Sequence, residues 1–390
     1  MAREFIRRAG PQCLAVALSG LLAAGAAWSQ EPDDADPGQG VVEAVDPALL
    51  PAEPARLAAR SMLLDVAESD QRAIAVGERG HVLVSESRQD WRQVAGVPTR
   101  STLTGVATAG SHAWAVGHAQ VILHSADGGL GWERQHVDPY DPDDWEDIAN
   151  GAPLLDVLFL DERRGFAIGA YGLMLATSDG GASWERRYMP GSSALQAGDG
   201  MDTGPEDDAS PGADEDEEGG DEDWTFSDED LALEELTDPH LNAIARTGSG
   251  ALFIAAERGS AFRSRDQGAT WERIAIPYDG SMFGVLGFEG DRVLVFGLRG
   301  NAFESQDLGS TWKALDTGTE QTLQGGATLP GGGAVLVGSN GVVLVRRAFG
   351  EPFVEHTFED GGVLADVLPV GGTSQLVLVG ERGIARYGAN

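Results

Sequence analysis

The chain is almost without cysteine. Its single thiol, Cys13, falls in an apolar N-terminal stretch with the features of an export signal. Once that stretch is removed, the chain can form no disulfide, no cysteine-ligated metal centre and no cysteine nucleophile. Its stability must then come from packing. Lysine is equally scarce, with Lys313 the only one, so the basic side chains are arginines and the formal net charge is -35. Such a charge repels nucleic acid and anionic membrane surfaces, which argues against both as partners. Beyond the N-terminus no run reaches about 18 uncharged apolar residues, so no spanning helix is expected. Helical periodicity is nearly absent too, and the short alternating apolar segments read as strands and hairpins.

Residues 1–29 read as a secretory signal. Arg3, Arg7 and Arg8 form a basic head, Leu14 to Ala27 an apolar core, and Ala27 and Ser29 frame a cleavage site. The residues after Arg7-Arg8 fit a twin-arginine signal poorly, and Cys13 lacks the small-residue context of a lipoprotein signal. A soluble exported protein, periplasmic or beyond, is the expectation.

What the chain has in abundance is a repeat. An apolar strand, a Gly-x-x-Gly turn and a second apolar strand recur as AIAVGERGHVLVS, AWAVGHAQVILHS, FAIGAYGLMLAT, LFIAAERGSAFRS, VLVFGLRGNAFES, AVLVGSNGVVLV and LVLVGERGIARY. The last of these opens at Leu376 and has its core over 378–387. The first glycine stands at 77, 117, 169, 297, 338 and 380, with Ala256 in its place once. Outside two insertions the period is roughly 41 residues, and each unit holds four short alternating segments. Seven units of four strands at this period predict an all-β, seven-bladed propeller of antiparallel blades over residues 59–390.

The turn after the third strand is the most specific motif. It reads SADGGLGW, TSDGGASW, SRDQGATW and SQDLGSTW, placing Asp127 and Trp132, Asp179 and Trp184, Asp266 and Trp271, and Asp307 and Trp312 in register. This is the Asp-box. Its carboxylate can accept backbone N–H groups across the turn, its glycine supplies a left-handed residue, and its tryptophan covers the hairpin. These aspartates are expected to be turn braces rather than catalysts or metal ligands.

Two further segments stand apart. The seventh unit stops after its third strand, so residues 30–58 are expected to be a linker whose VVEAVDPALL stretch (41–50) pairs into the last blade and closes the ring. Residues 191–239 interrupt the repeat. Between Asp199 and Asp238 lie 19 Asp or Glu and no Lys or Arg, a composition that does not bury enough apolar surface to order itself. No EF-hand spacing occurs there.

The Asp-boxes combined with the Val-Gly-x-x-Gly hairpins resemble the photosystem II stability/assembly factor family over about residues 59–390. The resemblance implies a seven-bladed, exported, non-catalytic propeller that binds a protein of a membrane complex and assists its assembly. It implies no cofactor and no metal, and a monomer is expected. That family's binding face is arginine-rich, a feature from which the acidity of this chain departs. In a propeller the second-to-third-strand turns and the blade-joining loops share one face. The turns carry Arg79, Arg258, Arg299 and Arg382, each directly before the turn glycine, with Tyr171 at the equivalent place in the third unit. The joining loops contribute Arg60, Arg100, His240, Asn242, Tyr278 and Phe283. Together they form the candidate partner face, suited to a carboxylate or an acidic peptide end.

The competing class is a sialidase-like or other glycan-active hydrolase, because Asp-boxes occur there too. That chemistry needs an arginine clamp, a Tyr–Glu nucleophile pair and an acid carboxyl. None of the five tyrosines has an evident Glu partner in motif form, and no catalytic residue is assigned. The histidines show no HExxH pair; His112, His118 and His124 share one unit without metal-ligand spacing.

Overall fold

The computed structural model describes residues 45–144, 147–192, 238–359, 361–371 and 375–388. The signal, residues 41–44 of the expected closing strand, and residues 193–237 of the acidic insertion lie outside them. No helix among the described residues is long and apolar enough to cross a membrane.

Seven antiparallel sheets are present, each taking its strands in chain order from the axis outward. Their innermost strands are Leu63–Glu68, Leu103–Ala109, Leu154–Phe159, Leu241–Arg246, Met282–Gly287, Leu323–Leu329 and Leu364–Val370. Each of these packs against the next around the ring, and the last returns to the first. Among the described residues, blades one to six have four strands and blade seven has three, ending in Gly383–Tyr387. Second strands such as Ala73–Gly77 and Val293–Gly297 are buried along their whole length. Lying between neighbouring blades, they read as continuous apolar runs, and each interface between blades is a small core of its own.

The repeated glycines have two different physical causes. At Gly77, Gly169 and Gly338 the backbone is extended, so positive φ is not the reason. A Cβ on Gly117 would lie 2.1 Å from the Thr102 carbonyl oxygen, and one on Gly338 would lie 1.9 Å from that of Thr322. The second strand therefore approaches the start of the innermost strand too closely for any side chain. The second glycine of the pair takes positive φ, +69° at Gly80 and +71° at Gly300, and lies equally close to a blade-joining loop.

The N-terminal residues depart from expectation. Pro47–Leu49 is a 3₁₀ turn and not a strand, capped by the Asp46 carboxylate, which accepts the Ala48 N–H at 2.7 Å. Ala48 is fully buried in the core between blades one and two. Arg134 Nη1 donates to the carbonyls of Ala48 and Pro98 at 2.7 and 2.8 Å. A proline at 47 has no N–H for a ladder, and its fixed φ favours the turn. The chain then crosses blade one, where Gln93 accepts the Ala55 N–H at 2.7 Å and donates to the Glu53 carbonyl at 2.9 Å. It reaches blade seven through the 3₁₀ turn Ala58–Arg60, whose Ala59 carbonyl would lie 2.2 Å from a Cβ on Gly383. The described part of the segment thus straps blades two, one and seven across one face.

Candidate partner-binding face

The four Asp-containing turns lie together on the opposite face, and their hydrogen bonds account for them. The Asp266 carboxylate accepts the Ser264 hydroxyl (2.8 Å), the Thr270 N–H (2.9 Å) and the Thr270 hydroxyl (2.6 Å). Asp307 repeats this with Ser305 and Thr311, and Asp179 with Thr177 and Ser183. Asp127, followed by Gly131 instead of Ser or Thr, accepts the Leu130 and Gly131 N–H groups at 2.9 Å. The N–H and hydroxyl of Ser183 hold the Asp179 carboxyl at about 2, and those of Thr270 do the same for Asp266. A depressed native value means the brace is present above the ordinary carboxylate range and is lost as pH falls from about 4 towards 2. Asp307→Ala is expected to release the Thr311 amide to fast hydrogen exchange while leaving partner capture unchanged. Exchange mass spectrometry and a pull-down with the same protein check both halves.

Around the axis the sequence reading missed a set of carboxylates. Asp65, Asp156 and Asp366 occupy the third position of three innermost strands, at a register shift where one extra residue bulges. The bulge turns each carboxylate toward the next blade. Asp65 accepts the N–H of Val66 (2.7 Å) and, from blade two, of Val106 (2.6 Å). Asp156 accepts Val157 (2.7 Å) and, from blade four, Ile244 (2.8 Å). Asp366 stands at the same bulged position in blade seven, where burial pushes its carboxyl well above the usual carboxylate range. Asp65 and Asp156 are therefore clasps between neighbouring blades. Burial, reinforced by the charge of Asp65, raises the Asp156 carboxyl to about 7. The N–H groups that these oxygens accept across the blade boundary give Asp65 and Asp156 a structural role. The sequence signal was there, as Asp-Val recurs at 65–66, 156–157 and 366–367.

On the other face lie the turns predicted to carry arginine. Arg79, Arg258 and Arg299 sit directly before the turn glycine with φ of +56°, +52° and +55°, and Tyr171 and Asn340 take the same conformation. Asparagine tolerates this left-handed region, but for arginine or tyrosine it costs about 1–2 kcal/mol. It also points the side chain out of the turn, and all four arginines, Arg382 included, are exposed. Blade order groups them in two sets. Arg382, Arg60 and Arg79 belong to blades seven and one, and Arg258 and Arg299 to blades four and five, across the ring.

Not every candidate is available to a partner. Arg100 is engaged by the Pro51 carbonyl at 3.3 Å and by Glu53 at 3.0 Å, so it anchors the N-terminal strap. Asn242 donates to the Met282 carbonyl at 3.0 Å, linking blades four and five. Tyr278 and Phe283 are half-buried, Tyr278 stacking on Phe303 at 6.3 Å between ring centroids. Tyr171 meets His240 edge to face at 4.8 Å, and His240 Nδ1 lies 3.7 Å from Glu257. This builds an aromatic and ionic cluster beside Arg258. Glu78, Glu257 and Glu381 stand directly before three of the arginines, so acidic and basic residues alternate in these turns. Elsewhere, His112 and His124 are joined by a 2.8 Å hydrogen bond in blade two, and His118 lies apart in a turn.

Comparison with known proteins adds the following. No family model matches the chain. Over 47 residues it is 47% identical to the photosystem II assembly lipoprotein Ycf48 of Prochlorococcus marinus, a match spanning 12% of this chain and only 14% of that relative. Among solved structures it is similar to YCF48 bound to D1 peptide (TM-score 0.57, 16% identity, 85% of this chain and 93% of that one). It is also similar to YCF48 from Cyanidioschyzon merolae (TM-score 0.58, 15% identity, 84% and 95%). The WD40 propeller domain of Doa1 superposes as well (TM-score 0.57, 10% identity, 87% and 95%), so the structural likeness is one of fold. The short sequence match is thus to part of a photosystem II assembly lipoprotein, and the structural likeness shows the propeller fold.

Proposed function

We propose that this protein is an exported, non-catalytic propeller that captures a protein segment on its arginine-bearing face and assists the assembly or function of a membrane complex. The observation that carries the reading is the placement of Arg79, Arg258 and Arg299 at left-handed positions. Glycine or asparagine would sit there without strain, so keeping arginine in three turns of one face indicates that the side chain is used. Guanidinium groups favour carboxylates and backbone carbonyls in bidentate geometry, the groups an acidic or C-terminal peptide segment presents. The likeness to a propeller solved with a D1 peptide supports a peptide partner. A non-catalytic role fits the axial and turn carboxylates, whose oxygens are already occupied by backbone and hydroxyl donors.

The test is quantitative affinity capture from envelope extracts with the mature chain and with Arg79, Arg258, Arg299 and Arg382 all changed to alanine. A loss of captured partner of about tenfold or more is expected, since each charge-assisted contact is worth about 1.5–3 kcal/mol. Arg163→Ala, an exposed change on the opposite face, is expected to leave capture intact. Equal capture by the fourfold variant would overturn the proposed face.

A further inference from the structure

The acidic insertion is rooted in the arginine-bearing face. The chain leaves blade three after its fourth strand, Glu185–Arg187, and is described as far as Ser192. It resumes at Asp238, three residues before the innermost strand of blade four, Leu241–Arg246. The two ends meet, the Ser192 hydroxyl donating to the Asp238 carboxylate at 2.6 Å. The returning end is packed against turns of the candidate face. Gly172, directly after Tyr171, donates its N–H to the Pro239 carbonyl at 3.1 Å, and a Cβ on it would lie 2.8 Å from that of Asp238. The Glu257 N–H donates to the His240 carbonyl at 3.3 Å, and the Glu257 carboxylate accepts the His240 N–H at 3.3 Å. Glu257 stands directly before Arg258.

Residues 193–237, between these ends, hold 18 of the 62 Asp and Glu of the chain and none of its 27 Lys and Arg, so any countercharge must come from outside the insertion. Asp199 is seven residues from Ser192, about 23 Å of extended chain, and Glu235 is three from Asp238, about 10 Å. Arg258 adjoins the root. Arg299, in the equivalent turn of the next blade, is exposed and has no ion-pair partner among the described residues. On the opposite face, Arg164 and Arg265 are already paired with Asp161 at 2.8 Å and Asp291 at 3.1 Å.

We propose that carboxylates of the 193–237 insertion dock on Arg258 and Arg299 and compete there with the partner segment, an inference that rests on the arginine face being the partner site. The pairing is the one offered to the partner, carboxylate against guanidinium. A single exposed pair of this kind holds weakly and is screened by salt. Tethering at both ends beside Arg258 keeps many carboxylates at high effective concentration, so weak contacts add up to an intrachain ligand. A partner binds only by displacing it, and segments that match the face poorly are rejected.

Arginine-specific labelling with phenylglyoxal, read residue by residue by mass spectrometry, tests docking without any partner. The mature chain is compared with a variant whose 18 insertion acids are all Asn or Gln. Arg258 and Arg299 are expected to react about fivefold or more faster in the variant, and in the wild type at about 0.5 M salt, while the exposed Arg163 of the opposite face reacts alike in all. Replacing residues 193–237 with a short Gly-Ser linker, which the Ser192–Asp238 contact permits, should give the same result and serves if the first variant folds poorly. Capture of the partner from envelope extracts should rise about tenfold in both variants. Equal labelling of Arg299 in wild type and variants would overturn the docking while leaving the partner face standing. Faster labelling without a rise in capture would overturn the competition. Unchanged capture by the fourfold arginine variant would remove the face itself, whatever the labelling shows.

Discussion

Replacing Trp114 with alanine is expected to destabilise the propeller by about 3–5 kcal/mol, the largest loss for any single truncation considered. Trp114 lies on the second strand of blade two and is fully buried. Its ring stacks on Phe159 of blade three with centroids 3.5 Å apart and planes 8° from parallel. Its indole N–H donates to the Gly180 carbonyl in the Asp-containing turn of blade three at 3.2 Å. One side chain thus joins two blades through an apolar face and a polar edge. Alanine would leave a cavity that the flanking strands, locked in ladders on both sides, cannot collapse into. Urea denaturation should show a lower midpoint with an unchanged slope. Trp114→Phe keeps the stack, leaves the Gly180 carbonyl with one donor fewer, and should cost much less.

The second large effect is a pH dependence. The Asp156 carboxyl is pushed up to about 7 in the folded chain, first by burial and then by the charge of Asp65. A native value above the unfolded one means that the folded state binds the proton more tightly. The resulting stability is complete below about pH 4 and is lost as pH rises through about 7, a difference on the order of 4 kcal/mol. The Asp-containing turns act in the opposite sense below pH 4, so stability should be greatest in the mildly acidic range. In Asp156→Asn the fall between pH 4 and 8 should shrink to what Asp366 and Asp65 contribute. At pH 5 the Asp156 carboxyl already holds its proton and resembles a side-chain amide, so the two proteins should differ least there and most at pH 8. Stability curves at pH 5 and pH 8 for both proteins check the sign directly.

What could be read from the sequence follows from the kind of interaction that makes each feature. Blade number and strand order are set by alternation and turn residues, which are local and recur with the period. The braces at Asp179, Asp266 and Asp307 are local too, each confined to a single turn, so their chemistry could be deduced from spacing alone. The axial clasps could not. Asp65 and Asp156 act on N–H groups 41 and 88 residues away, across a blade boundary. The same position is Gly105, Ala243, Gly284 and Gly325 in the other blades, which blurs the pattern. At Gly325 a Cβ would lie 2.2 Å from the Ala365 carbonyl, so the axis has no room for a full ring of aspartates.

Within the expected closing strand, Pro47–Leu49 form a turn for a related reason. VVEAVDPALL alternates like a strand, but Pro47 removes a ladder donor, and the pocket that receives Ala48 is built by residues from two other blades. On the candidate face, the arginines were found because each precedes a glycine in a repeated turn. Their left-handed backbone was not foreseen, because arginine is a poor choice for that conformation. The loops were less legible. Arg100 and Asn242 read as ligand-facing residues, yet a backbone carbonyl and an acidic side chain within the fold hold the first, and a carbonyl of the next blade holds the second.

The measurement closest to the central claim is a hydrogen-exchange footprint of the propeller with its captured partner against the free chain. The account predicts protection of the turns around Arg79, Arg258, Arg299 and Arg382, with no change at the turns holding Asp179, Asp266 and Asp307. Protection confined to the aspartate turns, with the arginine turns unchanged, would contradict it.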